Sequence, residues 1–254
     1  MHDKSWQKIF DDYKIQEHDF DKEPYYLMAE QIKRSCQEFR NTGEKEVRIL
    51  CKQDTRECRP EVFKKFGLFL LPVNNGKYAI VKGEGYIDIP EIKETTEPYV
   101  SKLDFSLDTS KVGNSEMQHL DFAYASSLIR TFLHDDSLVL TIRGRKYTPK
   151  FDFYVGKQKI TVESVQTEVD AGYEGKGQVV LIEAKNGITN NTIIRQLYYP
   201  FRQWQTYTEK KVIPMFFGKS DDICSLWQFE FENYQDYNSI KLVKCGKFNI
   251  APRD

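Results

Sequence analysis

The chain has 254 residues, 40% of them hydrophobic and 30% charged, with a formal net charge of −1. That length carries one large domain or two small ones around a sizeable core, and the balance of apolar and charged residues excludes a disordered chain. The near-neutral charge argues against a general nucleic-acid coat, which would be strongly basic, but leaves room for an enzyme whose acidic centre and basic cleft cancel in the sum. Five scattered cysteines (Cys36, Cys51, Cys58, Cys224, Cys245) include no C-x-x-C pair. They argue against a disulfide framework or a structural zinc site and point to a reducing cytosol. No apolar run approaches the roughly 20 residues that span a bilayer. The opening MHDKSWQKIFDDYK has no signal-peptide core. A cytoplasmic protein with no membrane partner is expected.

Two regions are expected, residues 1–105 and 106–254. In the first, Leu27, Ile32, Cys36 and Phe39 recur at helical spacing over residues 26–40. EVRILCK (46–52) alternates like a strand, and RPEVFKKFG (59–67) has a proline at a helix start and a glycine at its stop. LFLLPVNNGKYAIVKG (68–83) reads as two strands around a turn at Asn74-Asn75-Gly76, with YIDIP (86–90) as a third. Helices followed by a twisted hairpin are similar to a winged helix, with Asn75 and Gly76 at the wing tip. The alternative is a small α+β unit packed on the rest. Residues 91–114, dense in charges and hydroxyls, read as a linker or surface excursion.

In the second region Ser115 and Gln118 form a capping-box pattern that opens a helix running to Leu133. Met117, Leu120, Tyr124, Leu128 and Phe132 are its apolar stripe. Strands are expected at 138–144, 150–156, 160–171 and 179–185, then a helix at 192–209, then strands at 211–218, 225–233 and 239–250. That order describes an α/β domain, a mixed central sheet with helices on its faces.

The chemistry concentrates where two strands end. In VVLIEAK (179–185) the run Val179–Ile182 suits a strand buried on both sides, and strand alternation sets Glu183 and Lys185 on one face. Gln166, Glu168 and Asp170 share a face of the preceding strand. The glycine-rich connection AGYEGKGQ suits a turn that brings Asp170 near Glu183. Neighbouring carboxylates raise each other's proton affinity unless a cation joins them, and hard oxygen ligands suit Mg²⁺. A lysine beside them is a compact charge for a phosphate or an attacking water.

Asp170 followed by Glu183-Ala184-Lys185, within that order of elements, resembles the PD-(D/E)XK nuclease superfamily, nearest in character to type II restriction endonucleases. The resemblance covers about residues 115–220. It implies a restriction-endonuclease-like fold and Mg²⁺-dependent, sequence-specific hydrolysis of double-stranded DNA. Asp170 and Glu183 would be metal ligands, the Ala184 carbonyl a third oxygen, and Lys185 the catalytic lysine. Val169 stands where the name-giving proline would be, which leaves Glu168 as an alternative first acid. Members often add an acid from the first helix. Here that is Asp121, inside the apolar stripe, or Glu116, in the first turn, where a carboxylate also simply suits the helix dipole.

Gln196 resembles the polar residue that follows the E-x-K strand in many such nucleases, and Arg195 and Arg202, seven apart, share a helix face that could meet phosphates. Arg143, Arg145 and Lys146 form a compact basic turn for a DNA backbone or guanines, and KQDTRECRP (52–60) is a second basic loop. Solvated surface is the bland alternative for each. Cutting both strands implies a twofold homodimer, and the sequence leaves open whether a companion DNA methyltransferase exists. The rivals are a structure-specific repair or recombination nuclease of the same fold and a non-catalytic DNA-binding protein. The four histidines lack a metal-motif spacing, and there is no P-loop.

Overall fold

A computed structural model of the chain describes residues 2–251. The chain opens with α1 (Asp3–Asp12), β1 (Tyr25–Met28), α2 (Ala29–Ser35), α3 (Thr42–Lys45), α4 (Val47–Leu50) and α5 (Glu61–Phe66). A hairpin follows, β2 (Leu68–Asn74) and β3 (Lys77–Lys82). Gly67 stops α5 in the left-handed conformation at φ 65°, and Gly76 turns the hairpin at φ 72°. The three strands form an antiparallel sheet in the order β1-β3-β2.

Two expectations fail in this region. The expected strand 46–52 instead holds a helical turn, Val47–Leu50, because Val47 and Leu50, three apart, both enter the core that Trp6, Phe10 and Phe63 build. Residues 26–40 begin as β1 and become helical only at Ala29.

Residues 91–114 are more than a linker. After β4 (Tyr86–Asp88), β5 (Glu97–Val100) joins the large sheet beside its last strand. The helix from Ser115 is also two helices, α6 (Glu116–Ala125) and α7 (Leu128–Leu133), because Ser127 turns left-handed at φ 66°. Ser115 caps α6 by accepting from the Gln118 N–H at 3.2 Å. The Gln118 amide instead reaches back to the carbonyls of Thr109 and Val112, so only half of the capping box forms.

The remaining elements are β6 (Val139–Tyr147), β7 (Phe151–Val155), β8 (Gln158–Val162), β9 (Gln166–Glu174), β10 (Gln178–Asn186), β11 (Asn191–Ile193), α8 (Arg195–Gln205), β12 (Lys211–Ser220), β13 (Ile223–Phe231) and β14 (Ile240–Ala251). The segment 160–171, expected as one strand, breaks at Ser164, with φ 55°. Its first part pairs with β7 as a separate hairpin.

Seven strands make a mixed sheet in the order β5-β14-β13-β12-β10-β9-β6. β10 and β12 are parallel neighbours joined through α8, a crossover unit. The alternation of β10 sorts its side chains into two cores. Val180, Ile182 and Ala184 pack with Leu120, Leu128 and Ile129 of α6 and α7. Val179 and Leu181 pack with Leu197 and Tyr198 of α8. Each of the valine, leucine and isoleucine side chains among them contributes about 1.5–3 kcal/mol when fully buried.

The N-terminal sheet shares the α8 core. Phe69, Leu71, Val73, Ala79 and Val81 belong to it, whereas Leu68, Leu70 and Ile80 point into the core of α1 and α5. Backbone bonds reinforce the join, with Ile193 N–H donating to Asp54 O at 2.8 Å and Glu163 N–H to Val73 O at 3.0 Å. Among the described residues no helix is long and apolar enough to cross a membrane.

Candidate active site

β10 keeps its pairing with β12 as far as Asn186, but its pairing with β9 stops at Ile182 opposite Ala171. The gap comes from a bulge in β9. Gly144 opposes Val169 and Ile142 opposes Gly172, so Arg143 alone faces both Asp170 and Ala171. An extra residue on one strand bends it and re-aims its side chains. Val169 and Ala171 accordingly lie in opposite cores, and the simple alternation expected for Gln166, Glu168 and Asp170 is broken at Asp170.

The Asp170 carboxylate occupies the place of a missing backbone partner. Its Oδ2 accepts a 2.8 Å hydrogen bond from the Ala184 N–H. A residue's N–H and C=O leave a strand on the same side, so the Ala184 carbonyl faces the same gap. One register step past Ile182 and Ala171 sets Glu183 beside Asp170. Lys185 Nζ donates to Glu183 Oε1 at 2.5 Å.

The electrostatics follow from burial. The Glu183 side chain is 11% exposed. Its carboxyl is pushed up to about 7, first by desolvation and then by Asp170, with Lys185 pulling the other way. Asp170 is also raised by burial, although the Ala184 N–H and Lys185 oppose the rise. Burial pulls the Lys185 ammonium down, but Glu183, Glu116 and Asp170 outweigh it and the net shift is upward.

These side chains form the floor of a cleft of about 720 Å³. Glu116, at the start of α6, also lines it, and its Oε1 accepts from the Asn186 N–H at 3.2 Å. Glu116 is thus the helix acid that reaches the floor. Asp121 is half-exposed rather than buried, and it is ion-paired with Arg143, whose Nη1 lies 3.3 Å from Oδ2.

Arg195 and Gln196, the first two residues of α8, form an end wall. Arg195 lies 3.7 Å from Asp54, and Gln196 Oε1 accepts from Thr192 Oγ1 at 2.6 Å. Arg202 does not share this surface. Its guanidinium is spent on the carbonyls of Asp152 and Tyr234 at 3.0 and 2.8 Å and sits over the Phe151 ring.

The basic turn 143–147 is in fact the second half of β6, outside the cleft apart from Tyr147. Arg143 holds Asp121, Arg145 holds Glu168 at 3.2 Å, and Lys146 lies 5.9 Å from the centre of the Trp204 ring. Glu168 lines the cleft but is exposed and paired, which favours Asp170 as the first acid. The loop 52–60 is stitched to the core rather than free. Arg56 pairs with Asp88, and the Asn191 amide donates to Glu57 at 3.0 Å.

The far wall was not anticipated. It consists of Arg48 and Lys52 around the end of α4, and of Asn75, Gly76 and Tyr78 from the β2–β3 hairpin. The Asn74-Asn75-Gly76 turn signal was visible in the sequence, but which surface it faces depends on the shared core.

Two partly buried acids, a backbone carbonyl and water are a hard-oxygen donor set that fits Mg²⁺, which commonly keeps several waters and takes one or two carboxylates. Among the described residues no group of three or more His, Cys, Asp or Glu is arranged as a metal centre, so the fit depends on the backbone oxygen and solvent.

A family model described as a domain of unknown function (DUF6997) matches residues 81–249, and a second, also described as a domain of unknown function (DUF6996), matches residues 3–80. No curated protein and no solved structure matches the chain.

Proposed function

The chain belongs to the family described as a domain of unknown function (DUF6997), whose description names no activity, and we propose from the geometry of its site that it is a Mg²⁺-dependent nuclease hydrolysing phosphodiester bonds of double-stranded DNA. The observation that carries this is the convergence of Asp170, Glu183 and Lys185 at a bulged strand end, on the floor of a polar cleft. A purely structural ion pair would not call for a second, partly buried acid beside Glu183. Its presence raises the Glu183 carboxyl further.

The arrangement α6–α7, β6, β9, β10, α8, β12 supports a restriction-endonuclease-like core. The order helix, strand, helices, hairpin, with β1 beside β3, supports a winged-helix reading of the N-terminal unit.

Asp170 and Glu183 would hold the ion, with the Ala184 carbonyl as a third protein oxygen. Mg²⁺ bound there would polarise a phosphate oxygen and lower the pKa of a coordinated water. Lys185, fixed by Glu183, would orient the attacking water or neutralise charge developing on the phosphorus oxygens. Glu183 must be ionised to bind a cation, so its proton has to leave first. Glu116 would accept a hydrogen bond from a water of the site. Cleavage of both strands would need two centres, which a twofold homodimer supplies.

The test is incubation of the full chain with unmethylated phage DNA and with supercoiled plasmid. Discrete bands in Mg²⁺ that vanish in chelator, in Glu183→Ala and in Lys185→Ala support a site-specific nuclease. Cutting confined to flaps or junctions would move the assignment to a structure-specific nuclease. No cleavage of any DNA in Mg²⁺ or Mn²⁺ would end the catalytic reading.

A further inference from the structure

The cleft has two unlike sides. Its floor carries the acids and Lys185, and its far wall belongs to the N-terminal unit. On that wall Arg48 and Lys52 are four residues apart at the end of α4, and both are exposed. Among the described residues Arg48 has no ion pair or side-chain hydrogen bond, and Lys52 reaches only Asp54, at 3.7 Å. They differ in this from Arg56, Arg143, Arg145 and Arg202, whose heads are all engaged.

Beside them the Asn74-Asn75-Gly76 turn projects into the cleft. The turn is braced from several sides. Asn74 Oδ1 accepts from the Asn75 N–H at 2.7 Å, and the Gly76 carbonyl accepts from the Ala29 N–H at 2.8 Å. The hairpin base is tied to catalytic-side elements, since Tyr199 Oη of α8 donates to Pro72 O at 3.0 Å. Asn75, which lines the same cleft as the acids, is therefore held on a braced turn, and its side-chain amide has no hydrogen-bond partner among the described residues.

We propose that this wall is the substrate-reading surface of the nuclease. Arg48 and Lys52 would hold phosphates of the DNA strand lying on the floor, and Asn75 would read a base edge next to the scissile bond. The inference rests on the nuclease reading given above and refines it. The N-terminal unit acts at the cut itself, not as a separate DNA-binding module. The chemistry suits those roles. Lysine and arginine supply sequence-independent phosphate contacts, and an asparagine amide supplies a paired donor and acceptor for a base. The helix that precedes the hairpin, α5, faces elsewhere. Its first turn is capped by Asp3, which accepts from the Glu61 N–H at 2.7 Å, and it borders a separate groove with α1.

The experiment measures binding and cutting separately. Binding of the full chain to a fluorescein-labelled 30-base-pair duplex pool of random sequence is followed by anisotropy in Ca²⁺ over a salt series, with the pool length set at about 30 to exceed a typical site. Arg48→Ala/Lys52→Ala is expected to weaken binding roughly tenfold and to reduce the slope of log K against log salt by about 2. Lys64→Ala/Lys65→Ala on α5 is expected to leave both unchanged.

Cleavage of the same pool in Mg²⁺ is then read by sequencing the ends. Asn75→Ala is expected to flatten the base preference at one or two positions beside the cut. Unchanged affinity and slope in the Arg48/Lys52 variant, or a larger loss in the α5 variant, overturns the proposal. Duplex binding that depends on Arg48 and Lys52 without any cleavage would sink the nuclease reading and leave the wall as a nucleic-acid surface.

Discussion

Glu183→Gln is expected to stabilise the metal-free protein, increasingly so as pH rises. The Glu183 carboxyl is buried and pushed from an ordinary value of 4.5 to about 7. Between those two values the folded chain holds a proton that the unfolded chain has released, so stability falls as pH rises through the window, and the whole penalty is present above 7. At about 1.4 kcal/mol per pH unit the span is worth about 3 kcal/mol. Glutamine keeps the shape and cannot ionise, so this fall disappears in the variant. Chemical or thermal denaturation in chelator at pH 5, 6, 7 and 8 reads the difference. The two proteins should differ least at pH 5, and by pH 8 the gap should have widened by about 2.5 kcal/mol, or roughly 5–10 °C in Tm for a chain of this size. Adding Mg²⁺ at pH 8 should raise the Tm of the parent and not of the variant, because only the parent has the second carboxylate. Stability curves that run parallel from pH 5 to pH 8 would refute the buried-acid argument. A Mg²⁺ effect of equal size in both would refute Glu183 as a ligand.

Gly172→Ala tests the bulge. A Cβ there would lie 2.6 Å from the Ile142 Cβ, so β6 and β9 must separate, at a cost of about 1–3 kcal/mol that a lowered Tm would register. Glu116→Ala and Asp121→Ala separate the two helix acids. The first should weaken Mg²⁺ affinity in a titration followed by Tm. The second should leave that affinity unchanged, because Asp121 serves Arg143.

The strand carrying Glu183 and Lys185 was legible because Val179–Ile182 is a buried run whose last members turn charged. A core strand seldom ends in two charges unless a partner or a task holds them there. Asp170 was legible as a residue but not as a direction, since a bulge is a property of a strand pair and depends on Arg143 in another strand. Residues 46–52 alternate in sequence as a strand would, yet burial of Val47 and Leu50 on one core selects a helix. Asp121 reads as buried from helical spacing, which sets it inside the apolar stripe, but Met117 of that stripe is itself exposed. The break at Ser127 and the ion pair to Arg143 are tertiary facts. Arg202 shows the same limit, its neighbours Asp152 and Tyr234 being distant in sequence.

The sheet of β1, β2 and β3 has an apolar lining on each side, one for each half of the molecule. The boundary between the two matched family models, at 80/81, falls inside β3, so a fragment cut there would start partway along a strand and lose β2 altogether. The core that Phe69 and Leu71 share with Phe153, Tyr199 and Val162 would lose those two side chains, and Tyr237 would lose the Phe69 ring stacked on it. Separating the halves would open a core they share, so the side of the cleft bearing Arg48 and Asn75 and the side bearing Asp170 and Glu183 are expected to melt together.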